Sequence, residues 1–299
     1  MIHPRQQRIS GRTAELTVGL PVQRFLPTRE RRMIGAWVFL DHIGPADISA
    51  GKGVQIGPHP HTGLQTFTWM IEGELLHRDS LDTVQTIRPG QVNLMTAGKG
   101  ISHSEESPQS RSRCIHATQL WIALPDEQRF IEPDFEHCAE PPVTHLGPAQ
   151  ITVIAGSAFG LQAPIKVYSP LMAAEIVCAD AGTLNLPLQP SFEHGLLVLD
   201  GVICCDGHEL DSSELIYLAT ATESLNLTCQ GPCRLLLIGG EPFNEDVLIW
   251  WNFIGRNKQE LHDYVRRWNA AEDFGTVSGY DGDRLAAPLP PWKDQNGGR

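Results

Sequence analysis

Short runs of apolar, β-branched and aromatic residues recur along the whole chain. Ala36-Trp-Val-Phe-Leu40, Thr66-Phe-Thr-Trp-Met-Ile71, Gln119-Leu-Trp-Ile-Ala123, Ile151-Thr-Val-Ile154, Gly195-Leu-Leu-Val-Leu199 and Leu215-Ile-Tyr-Leu218 are examples, most of them bounded by Gly, Pro, Asp or Asn. Many short strands separated by turn signals predict an all-β sandwich or barrel. The order also repeats. In the first half a strand leads into the Glu72-Gly73 turn, then to Arg88-Pro89-Gly90 and a new strand; in the second, a strand leads into Asp200-Gly201, then to Asp211-Ser212-Ser213 and a new strand. Two similar β-barrel domains account for this, residues 1–135 and 136–299, with a loop-like linker in the stretch from Glu132 to Gln150. One segment breaks the β pattern. Asn257 is suited to cap a helix with Glu260 three residues on, and Leu261, Tyr264, Val265 and Trp268 follow at helical spacing. A short C-terminal helix packed on the β core is expected there. Beyond Ala271 the chain is rich in Gly, Asp and Pro, and Leu285 to Trp292 is expected to run over the surface or to be disordered.

Composition narrows the functional classes. The chain has 299 residues, 41% of them hydrophobic and 19% charged, enough to bury a core. A formal net charge of -12 disfavours direct contact with nucleic acid or an anionic membrane, because phosphate binding is driven by Lys and Arg. The polar start Met1-Ile2-His3-Pro4-Arg5-Gln6 lacks the apolar core of a secretory signal, and runs such as Val247-Leu-Ile-Trp-Trp251 are too short to span a bilayer. A soluble, cytoplasmic protein is expected. The seven cysteines are an odd number with no secretory context, which argues against a disulfide framework. Leu225–Cys229 and Cys233–Ile238 read as two strands joined by a Gly-Pro turn, with cysteine as a small core residue rather than half of a zinc site.

Two fragments carry the chemistry: Pro58-His59-Pro60-His61 and Ile101-Ser102-His103-Ser104-Glu105. Each sets two metal-capable side chains at i and i+2, which share one face of a β-strand. Three imidazoles and one carboxylate converging from neighbouring strands would form a mononuclear site for Fe, Mn, Co, Ni, Cu or Zn, with positions left open for substrate and dioxygen. The glycines of Thr96-Ala-Gly98-Lys-Gly100 suit a tight turn beside a packed site. Sliding the Glu72 turn onto the Asp200 turn sets Pro187 and Gln189 in place of His59 and His61, so the second domain is read as metal-free. His77 and Asp79, again at i and i+2, suit either a ligand-orienting pair or a solvent-facing hairpin, with the hairpin preferred. Asp41-His42 suits a pocket rim or a turn cap ahead of Gly44-Pro45.

Together with Glu72-Gly-Glu-Leu-Leu-His77-Arg-Asp79-Ser80, Pro89-Gly90 and Met95-Thr-Ala-Gly-Lys-Gly-Ile-Ser-His103-Ser-Glu105, the Pro-His-Pro-His fragment resembles the pirin family of the cupin superfamily. The resemblance is strongest from Leu40 to Leu124; Gly239-Gly-Glu-Pro242 and Trp251-Asn-Phe253 also look pirin-like. It implies an all-β bicupin of two jelly-roll-like β-barrel domains, with one non-haem Fe(II) in the first, held by His59, His61, His103 and Glu105. It also implies quercetin 2,3-dioxygenase chemistry, in which a flavonol or related phenolic or enediol substrate is opened by O2 with loss of carbon monoxide, and Glu105 serves as ligand, as base or as both. The alternative it implies is an iron-dependent redox-sensing protein that regulates a protein partner. The chain is expected to act as a monomer. Two positions depart from the family pattern. Gln65 stands where a glutamate is common, and an amide cannot serve as an anionic ligand or general base. Leu94 stands where some members have tryptophan, which predicts a different pocket wall.

Overall fold

Alternate side chains of a strand face opposite sides, so each apolar run can seed a strand that buries one or both faces. The computed structural model describes residues 6–17 and 20–292. The six runs fall in strands Trp37–Asp47, Leu64–Glu72, Cys114–Ala123, Ala149–Ala158, Glu193–Asp200 and Glu214–Leu218. In the first half the large sheet runs Asp134–Cys138, Val92–Thr96, Leu64–Glu72, Cys114–Ala123, Trp37–Asp47, Leu20–Leu26, Arg12–Thr17. A small sheet runs Gln55–His61, Ile101–Glu106, Leu75–Asp79, Val84–Ile87. The second half repeats this order, with Leu161–Gln162 added beside Ala149–Ala158. Its large sheet runs Gln6–Ser10, Glu214–Leu218, Glu193–Asp200, Cys233–Gly240, Leu171–Cys178, Ala149–Ala158, Val143–Leu146. Its small sheet runs Gly182–Pro187, Ser224–Cys229, Ile203–Cys205, His208–Leu210. The fold is thus an all-β bicupin with one short helix near its C-terminus.

The chain crosses between the halves at several points. Gln6–Ser10 pairs with Glu214–Leu218 in the second large sheet, the place that Asp134–Cys138 fills in the first. The 132–150 stretch is not loop-like: it contains Asp134–Cys138 and Val143–Leu146, one edge strand for each large sheet. Both strands are short and half-exposed, so neither shows a full apolar run. The two large sheets share one core, in which Trp37, Phe67, Leu94 and Leu120 meet Val153, Ala173, Leu197 and Leu236. Buried indole N–H groups need acceptors, and they find them across the halves. Trp37 Nε1 donates to the Gly239 carbonyl at 3.1 Å, and Trp69 Nε1 donates to Glu175 at 2.8 Å.

The helix spans Lys258–Asn269, with the Asn257 side chain accepting from the Glu260 N–H and with Leu261, Tyr264, Val265 and Trp268 buried. It packs with Phe253, Phe274 and Ala287 in a small apolar cluster. This C-terminal region lies on the first barrel. The Ile254 N–H donates to Thr62 O at 3.1 Å and the Leu285 N–H to Pro58 O at 2.8 Å. The segment from Leu285 to Trp292 does run over the surface, but it is tied down: Trp268 Nε1 donates to Leu285 O and Trp250 Nε1 to Pro288 O. Its few apolar anchors have partners far away in sequence, so local composition conceals them. Among the described residues, no helix is long and apolar enough to cross a membrane.

Cys229 and Cys233 do not close a hairpin. Ser224–Cys229 belongs to the second small sheet and Cys233–Gly240 to the second large one, so residues 230–232 pass between sheets. Cys178, the register partner of Cys233, joins them, and the three buried thiols lie within 4.8 Å of one another. Burial pushes the Cys178 and Cys229 thiols up to about 11, so they pack as neutral groups. All seven cysteines are free.

Candidate metal centre

Proline lacks a donor N–H and is tolerated at a sheet edge, which is where Pro58 and Pro60 put the strand Gln55–His61. The alternation then turns His59 and His61 into the barrel, both buried. The neighbouring strand brings His103 directly opposite His59. The ring centroids are 4.3 Å apart for His59–His103, 4.9 Å for His61–His103 and 5.1 Å for His59–His61. One donor nitrogen from each ring lies within 4.8 Å of the other two. The two glycines of the preceding turn are needed as read. Gly98 has φ +50°, and a Cβ there would lie 2.0 Å from Ile131 O; Gly100 has φ +150° and abuts the Phe274 ring.

Hydrogen bonds on the outer side of the triad determine which ring nitrogens carry lone pairs. A carbonyl can only accept, so His59 Nδ1 donates to Gly57 O at 2.9 Å and leaves Nε2 free. Asp79 accepts from His77 Nε2 at 3.1 Å, so His77 Nδ1 is left to accept from His103 Nδ1 at 3.3 Å. His103 therefore also keeps a bare Nε2, and that atom faces His61 Nε2 at 3.0 Å. His61 Nδ1 lacks a hydrogen bond of normal geometry, although the nearby Asn252 backbone favours its charged form. Burial outweighs this and holds His61 and His103 well below the usual imidazole range; His59 is brought down to about 4. Two neutral imidazoles thus direct Nε2 lone pairs to the point that the His61 Nε2 also faces, where His61 is able to present a third. The donor set therefore fits a divalent transition-metal ion, for which neutral imidazole is the binding form.

His77 and Asp79 are not on a solvent-facing hairpin. Both are buried, and Asp79 also accepts from the Leu81 and Thr83 N–H groups. Burial pushes the Asp79 carboxyl up, but His77 and these two N–H groups outweigh it and hold it below its ordinary value. The i, i+2 spacing in sequence could not say which face of the strand pointed inward.

Glu105 lies on the same strand as His103 and lines the same cavity, opposite His77 in register. It stands outside the compact group of three histidines. A register shift between His103 and Glu105 separates the two positions along the partner strand. Burial raises the Glu105 carboxyl above its ordinary value, with His77 opposing.

The cavity above the histidines measures about 360 Å³. Its wall includes Arg24, Phe39, Gln119 and Trp121, which the site motifs do not single out, and Asn252 from the pirin-like Trp251-Asn-Phe253 segment. Phe39 and Trp121 are stacked, with centroids 4.2 Å apart, and the Arg24 guanidinium sits 4.5 Å over Phe39. Arg24 is held by two hydrogen bonds of 2.6 Å to Asp41, which is fully buried. Asp41 and His42 therefore neither cap a turn nor form the rim. Their strand continues to Asp47; Asp41 positions a cavity arginine, and His42 Nε2 meets His116 Nε2 at 2.8 Å. Gln65 and Leu94 lie away from the cavity. Gln65 Nε2 donates to Thr96 Oγ1 and to Lys166 O of the second half, and Leu94 is in the core between the two large sheets. Neither departure alters the pocket wall.

Comparison with known proteins agrees with this architecture. The pirin family profile matches residues 19–122, and that of the pirin C-terminal cupin domain matches residues 173–275. A Pseudomonas aeruginosa protein described as "Putative quercetin 2,3-dioxygenase" is 50% identical over 96% of this chain and 91% of its own length. The crystal structure of a quercetin 2,3-dioxygenase from Acinetobacter baumannii superposes with a TM-score of 0.93 at 44% identity, covering 97% of each chain. A more distant fold match, at 20% identity and a TM-score of 0.64 over 79% of this chain and 99% of the other, is a bacterial pirin from Escherichia coli in complex with nickel(II). The chain belongs to the pirin family, whose members are two-domain cupins.

Proposed function

We propose that the chain is a metal-dependent dioxygenase of the pirin type, acting on a flavonol such as quercetin or on a related phenolic or enediol substrate with O2. One divalent ion, most naturally Fe(II), is held by His59, His61 and His103; Mn, Co, Ni, Cu or Zn suit the same donors. The observation that carries this reading is the pair of outer hydrogen-bond chains, Gly57 to His59 and Asp79 through His77 to His103, which aim bare Nε2 atoms at one point. Bound there, the metal supplies Lewis acidity toward a substrate hydroxyl and a redox centre for dioxygen. The protein supplies the rest. Trp121 and Phe39 give an aromatic ring a face to pack on. Arg24 spends two N–H groups on Asp41 and has others left for an anionic substrate oxygen. Glu105 accepts the substrate hydroxyl proton, or closes on the metal as a fourth ligand. Phe39, Trp121 and Glu105 are buried, which strengthens the polar interactions made beside them. The protein is taken to work in the cytoplasm as a monomer on small molecules, and its net charge of -12 disfavours nucleic acid and anionic membranes as partners.

The test is oxygen uptake and quercetin loss by anaerobically Fe(II)-loaded protein. Wild-type protein turns over. His61→Ala does not, and Glu105→Gln is slower by roughly 10²–10⁴-fold while keeping its iron. Turnover of His61→Ala at the wild-type rate would overturn the assignment.

A further inference from the structure

The internal repeat sets a second cavity where the first barrel has its histidines. Strand Gly182–Pro187 holds in the second small sheet the place of Gln55–His61, and Ser224–Cys229 holds that of Ile101–Glu106. His59 pairs with His103 across the first strand pair, and Pro187 pairs with Ser224 across the second. Pro187, Gln189 and Ser224 thus stand for His59, His61 and His103, and that set cannot hold a transition metal. The space has nonetheless been kept. The second cavity measures about 510 Å³ against about 360 Å³ for the first. Both volumes lie within the range of small-molecule sites.

The wall of this cavity is chemically specific. Pro187 and Gln189 line it together with Ala158, Phe159, Phe192 and His194, and among the described residues no Asp, Glu, Lys or Arg lines it. His194 is the titratable group among the described residues that line it. The ring is buried, its Nδ1 has no hydrogen-bond partner, and the fold makes room for it. A Cβ on the register partner Gly239 would lie 2.7 Å from the ring. Burial brings His194 down to about 4, so at neutral pH the imidazole has one nitrogen to donate and one to accept. An ion in such a cavity would lose its hydration with no opposite charge in return.

We propose that the second barrel is a metal-independent binding site for an uncharged, planar aromatic molecule bearing a hydroxyl, which packs on Phe159 and Phe192 and hydrogen-bonds His194. The site does not depend on the oxygenase reading of the first barrel, so either can fail alone.

The probe is 2-naphthol, followed by its fluorescence anisotropy with the full-length metal-free protein. Ala158→Trp fills the second cavity, His194→Leu removes its hydrogen-bonding group, and Gln119→Trp narrows the first cavity as a control. Saturable binding is expected in wild-type protein. It should weaken at least tenfold in Ala158→Trp and at least threefold in His194→Leu, and stay within twofold in Gln119→Trp. Absence of saturable binding would overturn the proposal, as would loss in Gln119→Trp with retention in both second-barrel variants. The two second-barrel substitutions act on different walls, so misfolding of one, seen by circular dichroism, leaves the other to decide.

Discussion

At the scale of single residues the centre depends on groups that never touch the ligand. His77 and Asp79 orient His103, and outer partners of this kind typically change metal affinity by 10–100-fold. Asp79→Asn or His77→Ala should therefore weaken Fe(II) binding by roughly that factor, measured by competition with a chelator. Unchanged affinity would remove the pair from the account. The cluster of His59, His61 and His103 was legible because its spacing is local: His-x-His and His-x-Glu each fall on one strand. The relay was only half legible, since spacing shows a shared face but not which way the face points. Arg24, Phe39, Trp121 and Asn252 come from segments far apart in the chain and have no mutual spacing to read. Glu105 had the right spacing, but the register shift beside it separates it from the compact triad.

At the scale of elements the C-terminal segment acts as a strap on the barrel that carries the three histidines. Gly63 has φ +68°, and a Cβ there would lie 2.6 Å from Ile254 O, so the strand Phe253–Gly255 sits tightly against the turn after His61. Ser102, next to His103, donates through Oγ to Phe274 O at 3.0 Å. Trp268 is buried, stands edge-on to Phe274 and donates to Leu285 O. Trp268→Ala should cost about 3–5 kcal/mol of stability, read as a lowered denaturant midpoint. It should also loosen metal binding in the first barrel. A loss in one property without the other would show that strap and centre are uncoupled. The helix was legible from its cap and periodicity. Its place on the first barrel was not, because it follows the second barrel in sequence.

At the scale of the molecule, two barrels of one topology share a core. The shared strand order shows through the sequence as repeated turns, but the crossing of Gln6–Ser10 into the second sheet does not, because one short strand carries no address. The buried neutral histidines make stability depend on pH. Burial brings His42 and His194 down to about 4, with His116 adding to the effect at His42, while unfolded imidazoles titrate near 6.5. The unfolded chain thus binds more protons between these values. Stability is complete above about pH 6.5 and falls as pH drops toward 4, on the order of 3 kcal/mol for each ring. Melting curves of metal-free protein should show this slope, and His194→Leu should flatten it; an unchanged slope would contradict the burial argument. The central claim is that three histidines of the first barrel hold the metal, and X-ray absorption at the iron edge of reconstituted protein tests it most directly. The account predicts about three imidazole ligands, seen as ring scattering that weakens in whatever iron His61→Ala still binds. Sulfur scattering from the Cys178, Cys229 and Cys233 cluster, or the absence of imidazole scattering, would contradict it.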